Sequence, residues 1–457
     1  MLADRRTLDP MRILIIGGGQ TGGSLASHLC EDGHDVVVVD PDPDVLATLE
    51  SHLDLMTVRG DGADPDVLER AGVARADLLV AATPRDDTNL LACIFAHQRG
   101  VPRTVARVSS PAYAASRHVD FAALGVSLLV NPASEHARDL VNAIRLPGSL
   151  ETDNLLDGRV LVVGMPVHMD SPLLGKHLRD FADAPWIRHI RFFAVSRSGD
   201  VTTPTGNTSF QVGDNVYFAG EPAAVHEFIR LVWPEQTRFQ TILIAGGGEL
   251  GLQLAALLET SRIQVVLVES DARRADLCAA DLSRATVLKG DALDPATLAS
   301  VGDPASIAYV AATGSDESNI VGCLLAERAG CHFTAAHLSN PDYIAIARSQ
   351  KLIDRVINSP LVMINSVLHF VRGRNVQAAA ILSHLPGELL DLKLACGHPW
   401  VGKQIQSLAL PGGVVLLTVL RGSQVKTPTG DLALQDADRI VLYALPDALD
   451  EIEPLFQ

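Results

Sequence analysis

Residues 12 to 40 read RILIIGGGQTGGSLASHLCEDGHDVVVVD, and their pattern decides the fold. A β-branched apolar run, Ile13 to Ile16, ends in glycines and passes into a helical pattern that stops at Gly33. A second apolar run follows, closed by Asp40. The order is strand, tight turn, helix and parallel strand. Gly17, Gly19 and Gly22 fall as G-x-G-x-x-G, where bare backbone permits a tight turn, close approach of a pyrophosphate and close helix-to-sheet contact. Phosphates then lie on the helix N-terminus, against unpaired N–H groups. Asp40, eighteen residues past Gly22, stands where a carboxylate accepts hydrogen bonds from adenosine ribose hydroxyls. It would repel a 2′-phosphate, which favours NAD over NADP. The plainer alternative is that these glycines only let a helix pack on a sheet.

A length of 457 residues predicts roughly three to four units of about 100 to 150 residues. No run approaches the roughly 18 to 20 apolar residues needed to cross a bilayer, and no signal-peptide pattern opens the chain, so a cytoplasmic protein is expected. A formal charge of -17 argues against nucleic acid as a partner. The 6 cysteines include no C-x-x-C and mostly fall in apolar patterns, which predicts buried thiols rather than disulfides or metal ligands. Residues 1 to 10 read as a short polar tail, with Met11 as an alternative start.

Sliding the chain against itself by 229 or 230 residues reveals a repeat. ILIIGGGQTGGSLA falls on ILIAGGGELGLQLA (Ile242 to Ala255), RGDGADPDVL on KGDALDPATL, and VAATPRDDTNLLAC on VAATGSDESNIVGC. The shift carries the first glycine turn and its acid onto Gly246, Gly248, Glu249, Leu250, Gly251 and Glu269. Downstream of each copy a second motif recurs, VTTPTG (Val201 to Gly206) and VKTPTG (Val425 to Gly430). The order is therefore A-B-A′-B′. The A units, 11–130 and 240–358, read as alternating strands and helices, hence as Rossmann-like, doubly wound parallel sheets of the α/β class. The B units, 155–233 and 387–457, carry compact turns at Ser198-Gly199 and Gly422-Ser423 between β-prone runs and read as small α+β modules. Connector helices are expected within 131–154 and 359–386. In the first, Ala133, Ala137, Leu140, Val141 and Ile144 form one apolar face, to be covered by its own domain or by another subunit.

Further residues point at the same ligand. Asp61 ends the third apolar run, at the carboxyl edge where ligands bind, with a plain turn aspartate as the alternative; Asp291 is its counterpart. Thr83 opens Thr83-Pro84-Arg85-Asp86, which fits an S/T-x-x-D helix start, so Asp86, Asp87 and Asn89 would line the cleft mouth; Thr313 is the second copy. Arg107, a cation within a strand-like run, calls for a diphosphate or for a salt bridge to Asp86 or Asp87. Gly397 to Lys403 matches P-loop spacing, but Gln404 replaces the Ser or Thr that would hold Mg²⁺, so it reads as a turn. H-E-x-x-H, G-x-S-x-G and Y-x-x-x-K are missing, and the 15 histidines form no metal-spaced cluster, which favours binding over catalysis. An NAD-dependent oxidoreductase or epimerase remains the rival reading.

The elements GGGQTGG, VVVVD, RGDGADP, AATPRDDTN and ARVSSPAY, with the TPTG module and in A-B-A′-B′ order, resemble the TrkA family of Trk-system potassium uptake regulators, which carry two RCK (or KTN) repeats. The resemblance covers nearly the whole chain from Met11. It implies a regulator without catalytic activity that binds NAD(H) and adenine nucleotides such as ATP, ADP or AMP. It also implies a homo-oligomer, four chains supplying eight repeats to a ring at the inner face of the membrane beneath a potassium transporter. A potassium efflux antiporter is the alternative partner. By the same resemblance Gly17, Gly19, Gln20, Thr21 and Gly22 hold phosphates and Asp40 the ribose. Asp61 lies near the adenine, Thr83 by the distal half of the ligand, and Arg107 near the phosphates. The second half carries Glu249 for Gln20 and His337 for Arg107, which lowers positive potential. It is therefore expected to bind a diphosphate more weakly, or to prefer a less charged adenosine ligand.

Overall fold

The computed structural model describes residues 10–114, 118–156, 158–233, 239–350, 352–371, 376–382 and 384–452. The expected tail, Pro10 apart, lies outside the described residues.

The first repeat runs Arg12–Ile16 (β1), Gln20–Glu31 (α1), Asp35–Asp40 (β2), Pro43–His52 (α2), Met56–Arg59 (β3), Pro65–Arg70 (α3), Leu78–Ala81 (β4), Asp86–Gln98 (α4), Thr104–Arg107 (β5), Pro111–Ala114 (α5) and Leu128–Val130 (β6). Pro132–Arg145 (α6) connects it to Glu151–Leu155 (β7), Val160–Pro166 (β8), Ile190–Arg197 (β9), Asp200–Thr202 (β10), Asn215–Gly220 (β11) and Pro222–Val232 (α7). The second repeat runs Thr241–Ala245 (β12), Glu249–Leu258 (α8), Gln264–Glu269 (β13), Ala272–Asp281 (α9), Thr286–Lys289 (β14), Pro295–Val301 (α10), Ile307–Ala311 (β15), Asp316–Ala329 (α11), Phe333–Leu338 (β16), Pro341–Ser349 (α12) and Arg355–Asn358 (β17). Ser359–Val371 (α13) leads to Val376–Ile381 (β18), Glu388–Lys393 (β19), Val414–Arg421 (β20), Gln424–Lys426 (β21), Arg439–Ala444 (β22) and Pro446–Ile452 (α14).

Both parallel sheets have the doubly wound order, β3-β2-β1-β4-β5-β6 and β14-β13-β12-β15-β16-β17. Their central strands are continuous apolar runs because helices cover both faces: Val36, Val37, Val38 and Val39 are all buried. Aspartates start the flanking helices, as where Asp42 and Asp64 accept from the N–H of Asp44 and Asp66 at 2.9 Å. The modules are antiparallel, ordered β10-β9-β11-β8-β7 and β18-β19-β22-β20-β21. Strands β7 and β18 begin ahead of residues 155 and 387, so both reach into the segments read as connectors.

The chain forms two compact units, the parallel-sheet domains in one and the antiparallel modules in the other. In the module unit a single core joins Val162, Phe193 and Tyr217 to Leu389, Val415 and Tyr443, with Phe193 and Tyr443 ring centroids 5.0 Å apart. In the Rossmann unit the connectors cross over. Met363, Val367 and Val371 of α13 complete the core formed by Ile13, Leu25 and Val38 of the first repeat. Asp139 of α6 pairs with Arg355 of the second. The apolar faces of these helices are thus covered within one chain, and they give no argument for a second subunit.

Candidate functional site

Each parallel sheet carries a glycine turn at its carboxyl edge. Gly17 has φ +96°, a left-handed conformation that spares glycine the Cβ strain, and an added Cβ there would meet Thr83 Cγ2 at 3.0 Å. Gly22 lies so close to the strand end that a Cβ would sit 1.8 Å from Gly17 O; Gly251 repeats this at 2.0 Å from Gly246 O. Gly19 is the residue before α1, and a Cβ on it would meet nothing within 4 Å. Open space thus faces the N-terminus of α1, where a helix can receive an anion.

The acids at the strand ends have a second task. Asp40 accepts from Gly18 N (2.7 Å) and Asp42 N (2.9 Å), one bond to each oxygen. Glu269 accepts from Gly247 N and Asp271 N, both 2.8 Å. The acid therefore fastens the glycine turn to the start of the next helix and leaves its remaining lone pairs for ribose. Burial pushes the Glu269 carboxyl up, but these N–H bonds and Arg274 outweigh it and hold the group below its ordinary value. Asp61 and Asp291 each close a turn, on Ala63 N and Leu293 N at 2.9 Å, so the turn role is filled at both positions.

Thr83 does not begin helix α4, whose N-cap is Arg85; its hydroxyl accepts from Arg85 N and bonds Asn89 Oδ1 at 2.7 Å. Asn89 is not at the cleft mouth either. Fully buried, it donates to Thr83 O and to Arg107 O, both at 2.9 Å, tying the ends of β4 and β5 together. Asn319 repeats the clamp between Thr313 and His337. Asp86 holds the loop after β5 through Ser109 N and Ser110 N, and Asp87 pairs with Arg85 at 2.6 Å. Neither takes Arg107. Arg107 donates to Thr83 O (3.3 Å), which places its guanidinium beside the glycine turn, and its buried Nε has no hydrogen-bond partner among the described residues. A diphosphate fits that orphaned donor.

In the second repeat a cleft of about 320 Å³ is lined by Gly246, Gly248, Glu269, Asp291 and Thr313, as expected, and also by Arg274, which the motif reading missed. Leu250 is buried, and neither it nor Gly251 lines the cleft. Glu249 turns away from the phosphate position and accepts from Asn131 Nδ2 (3.1 Å) at the head of α6. Burial pushes its carboxyl up to about 7, opposed by Asn131 and Arg107 and reinforced by Asp86. The expected deficit of positive charge is therefore softened twice: Glu249 is half protonated near neutrality, and Arg274 adds a cation.

A carboxyl that titrates near 7 when folded and near 4.5 in a free chain binds its proton more tightly in the fold. Its stabilising contribution is intact below pH 4.5 and is lost as pH rises through 7. Glu249→Gln keeps an acceptor for Asn131 and removes the charge. The variant should match wild type near pH 5 and exceed it by about 1 to 2 kcal/mol at pH 8, after discounting for solvent screening. Parallel melting curves at the two pH values would contradict this.

Among the described residues no group of three His, Cys, Asp or Glu is arranged to hold a metal, and no helix is long and apolar enough to cross a membrane. Gly397 and Gly402 adopt positive φ, and only the short 3-10 turn Ile405–Ser407 follows, so no α-helix N-terminus is there to receive a phosphate.

The TrkA-N domain model matches residues 13–132 and 242–359, and the TrkA-C domain model residues 162–232 and 390–457. The Trk system potassium uptake protein TrkA of Azorhizobium caulinodans is 30% identical, with 98% of this chain and 99% of that protein covered. The protein of the same name from Halomonas elongata is 31% identical over the same shares. Among solved structures, the GsuK RCK domain superposes with TM-score 0.62 at 19% identity, covering 98% of this chain and 95% of that one. The GsuK channel bound to NAD gives 0.63 at 20% identity, covering 98% and 79%. By its duplicated domains and its match along nearly the whole length, the chain belongs to the Trk system potassium uptake protein TrkA family.

Proposed function

We propose that this chain is a nucleotide-sensing regulatory subunit of a Trk-type potassium uptake system. It works in the cytoplasm against the inner face of the membrane, binds NAD(H) or adenine nucleotides in its Rossmann clefts, and gates a membrane potassium transporter without catalysing a reaction. One observation carries the reading. The glycine turn, its acid and the Thr-Asn clamp are built twice on one chain, and Glu249 of the second turn bonds Asn131 of the first repeat, so a change in one cleft has a direct route to the other. The relatives' names and the NAD- and ADP-bound GsuK structures support the ligand class and the type of partner. A tetramer supplying eight repeats to a ring belongs to the same proposal.

Gly17, Gly19, Gln20, Thr21 and Gly22 would hold the diphosphate with Arg107, Asp40 the ribose, Asp61 the adenine edge, and Thr83 the distal half. Of their counterparts, Gly246 and Gly248 would do so in the second cleft, Glu249, Leu250 and Gly251 would shape the turn behind them, and Glu269, Asp291 and Thr313 would complete the cleft. The protein should co-purify with a membrane potassium transporter, and NADH or ADP should change potassium flux through that pair in vesicles by severalfold. Flux indifferent to both ligands, or steady turnover of the nicotinamide with an alcohol or hydroxy acid, would overturn the proposal.

A further inference from the structure

The two clefts share their glycine turns but differ at the ribose edge. In the first, the residue five past the acid is Val45, whose Cγ1 lies 3.0 Å from where a Cβ on Gly18 would be. In the second it is Arg274, the only Lys or Arg among the described residues that line that cleft. Arg274 sits in the first turn of α9, where its backbone N–H donates to Asp271 Oδ1 at 2.8 Å. Its side chain is exposed and makes no ion pair or hydrogen bond among the described residues. The residue therefore lines the cleft with its guanidinium donors unspent.

We infer that Arg274 makes the second cleft a site for an adenosine dinucleotide phosphorylated on its ribose, NADP(H) being the type, while the first cleft takes NAD(H). The inference deepens the nucleotide-sensing proposal and rests on it. A planar guanidinium recognises phosphate through paired N–H donors, and in Rossmann sites an arginine near the ribose acid is what accommodates a 2′-phosphate. Glu269 does not cancel this. Each of its oxygens already accepts a backbone N–H at 2.8 Å, and the residue is only 7% exposed. The strand neighbours of the two acids are matched in charge, Arg59 opposite Asp40 and Lys289 opposite Glu269, so Arg274 in place of Val45 is an added positive charge at the second ribose edge.

Charge at the diphosphate position is distributed the other way. The first cleft has Arg107. The second has His337, whose protonation burial and Arg107 disfavour while Asp316 favours it. Arg107 and Arg274 thus stand at different positions along the same ligand, and an extra phosphate at the ribose end suits the second cleft.

The test is calorimetry on the full chain with NADH and NADPH. Wild type should bind NADPH at one site per chain. Arg274→Val, which copies the first repeat, should weaken NADPH about tenfold, the factor that 1.4 kcal/mol represents, and shift NADH less than about twofold. Arg274→Lys should recover part of the loss, because the charge returns without the fork. Unchanged NADPH affinity in Arg274→Val, or equal weakening of both dinucleotides, would overturn the inference. Wild type that binds NADH but not NADPH would overturn it and leave the nucleotide reading standing. If neither binds, that reading falls first.

Discussion

Gly22→Ala is expected to lower stability by about 3 to 4 kcal/mol and to weaken NADH binding at the first cleft at least about a hundredfold. The new Cβ would lie 1.8 Å from Gly17 O, a backbone oxygen that cannot swing aside. Gly17 N is bonded to Val39 O at 2.8 Å and Ala82 N to Ile16 O at 2.8 Å, so the turn is held on both sides. Relief requires α1 to move off the sheet, which takes its N-terminal N–H groups away from the diphosphate. Gly19→Ala makes the contrast. With nothing within 4 Å of its Cβ, the fold should melt unchanged, yet the methyl group enters the space proposed for the phosphates, and affinity should fall about tenfold. Calorimetric melting together with NADH titration separates the two. A Gly22→Ala protein that melts like wild type, or a Gly19→Ala protein that binds like it, would refute the assignment of these glycines.

What the sequence announced and what it hid divide along a physical line. Strand, turn, helix and acid from Arg12 to Asp40 are local and periodic, and the internal repeat then transferred the same pattern to the second half. Contacts between distant segments left no such trace. Asn89 looked like a rim residue because its neighbours Asp86 and Asp87 are polar; only the end of β5, eighteen residues on, shows that it is a buried clamp. The apolar face of α6 announced that something must cover it. That the face is buried, and that Asp139 on the same helix meets Arg355 of the second repeat, are tertiary facts. Glu249 stands in the turn in sequence, and Asn131, 118 residues earlier, draws it out. Arg274 falls outside the G-x-G-x-x-G motif, yet lining up the two halves sets it against Val45, and that mismatch was available as a signal.

The modules give the other large effect. Asp214 accepts from Arg197 Nε (2.7 Å), Arg197 Nη2 (2.8 Å) and Gln211 N (2.8 Å), and its side chain is fully buried. Asp438 repeats the clamp with Arg421 at 2.9 and 2.8 Å and Gln435 N at 2.8 Å. Arg197 and Arg421 also donate to Ser209 O and Ala433 O, so each aspartate, through its arginine, closes the loop that carries TPTG onto the sheet. Asp214→Ala would leave the Gln211 N–H and a guanidinium without their acceptor, a change that costs about 3 kcal/mol. Arg197 is 43% exposed and regains water, which keeps the loss from being larger. Asp214→Asn, which keeps one acceptor but not the charge, should lose about half as much. Because the aspartate serves its module and not the clefts, NADH affinity should stay within about twofold while the melting midpoint of the module unit falls by roughly 6 to 10 °C. An Asp214→Ala protein that keeps its melting profile, or one that loses NADH binding while still folded, would show that the clamp does something else.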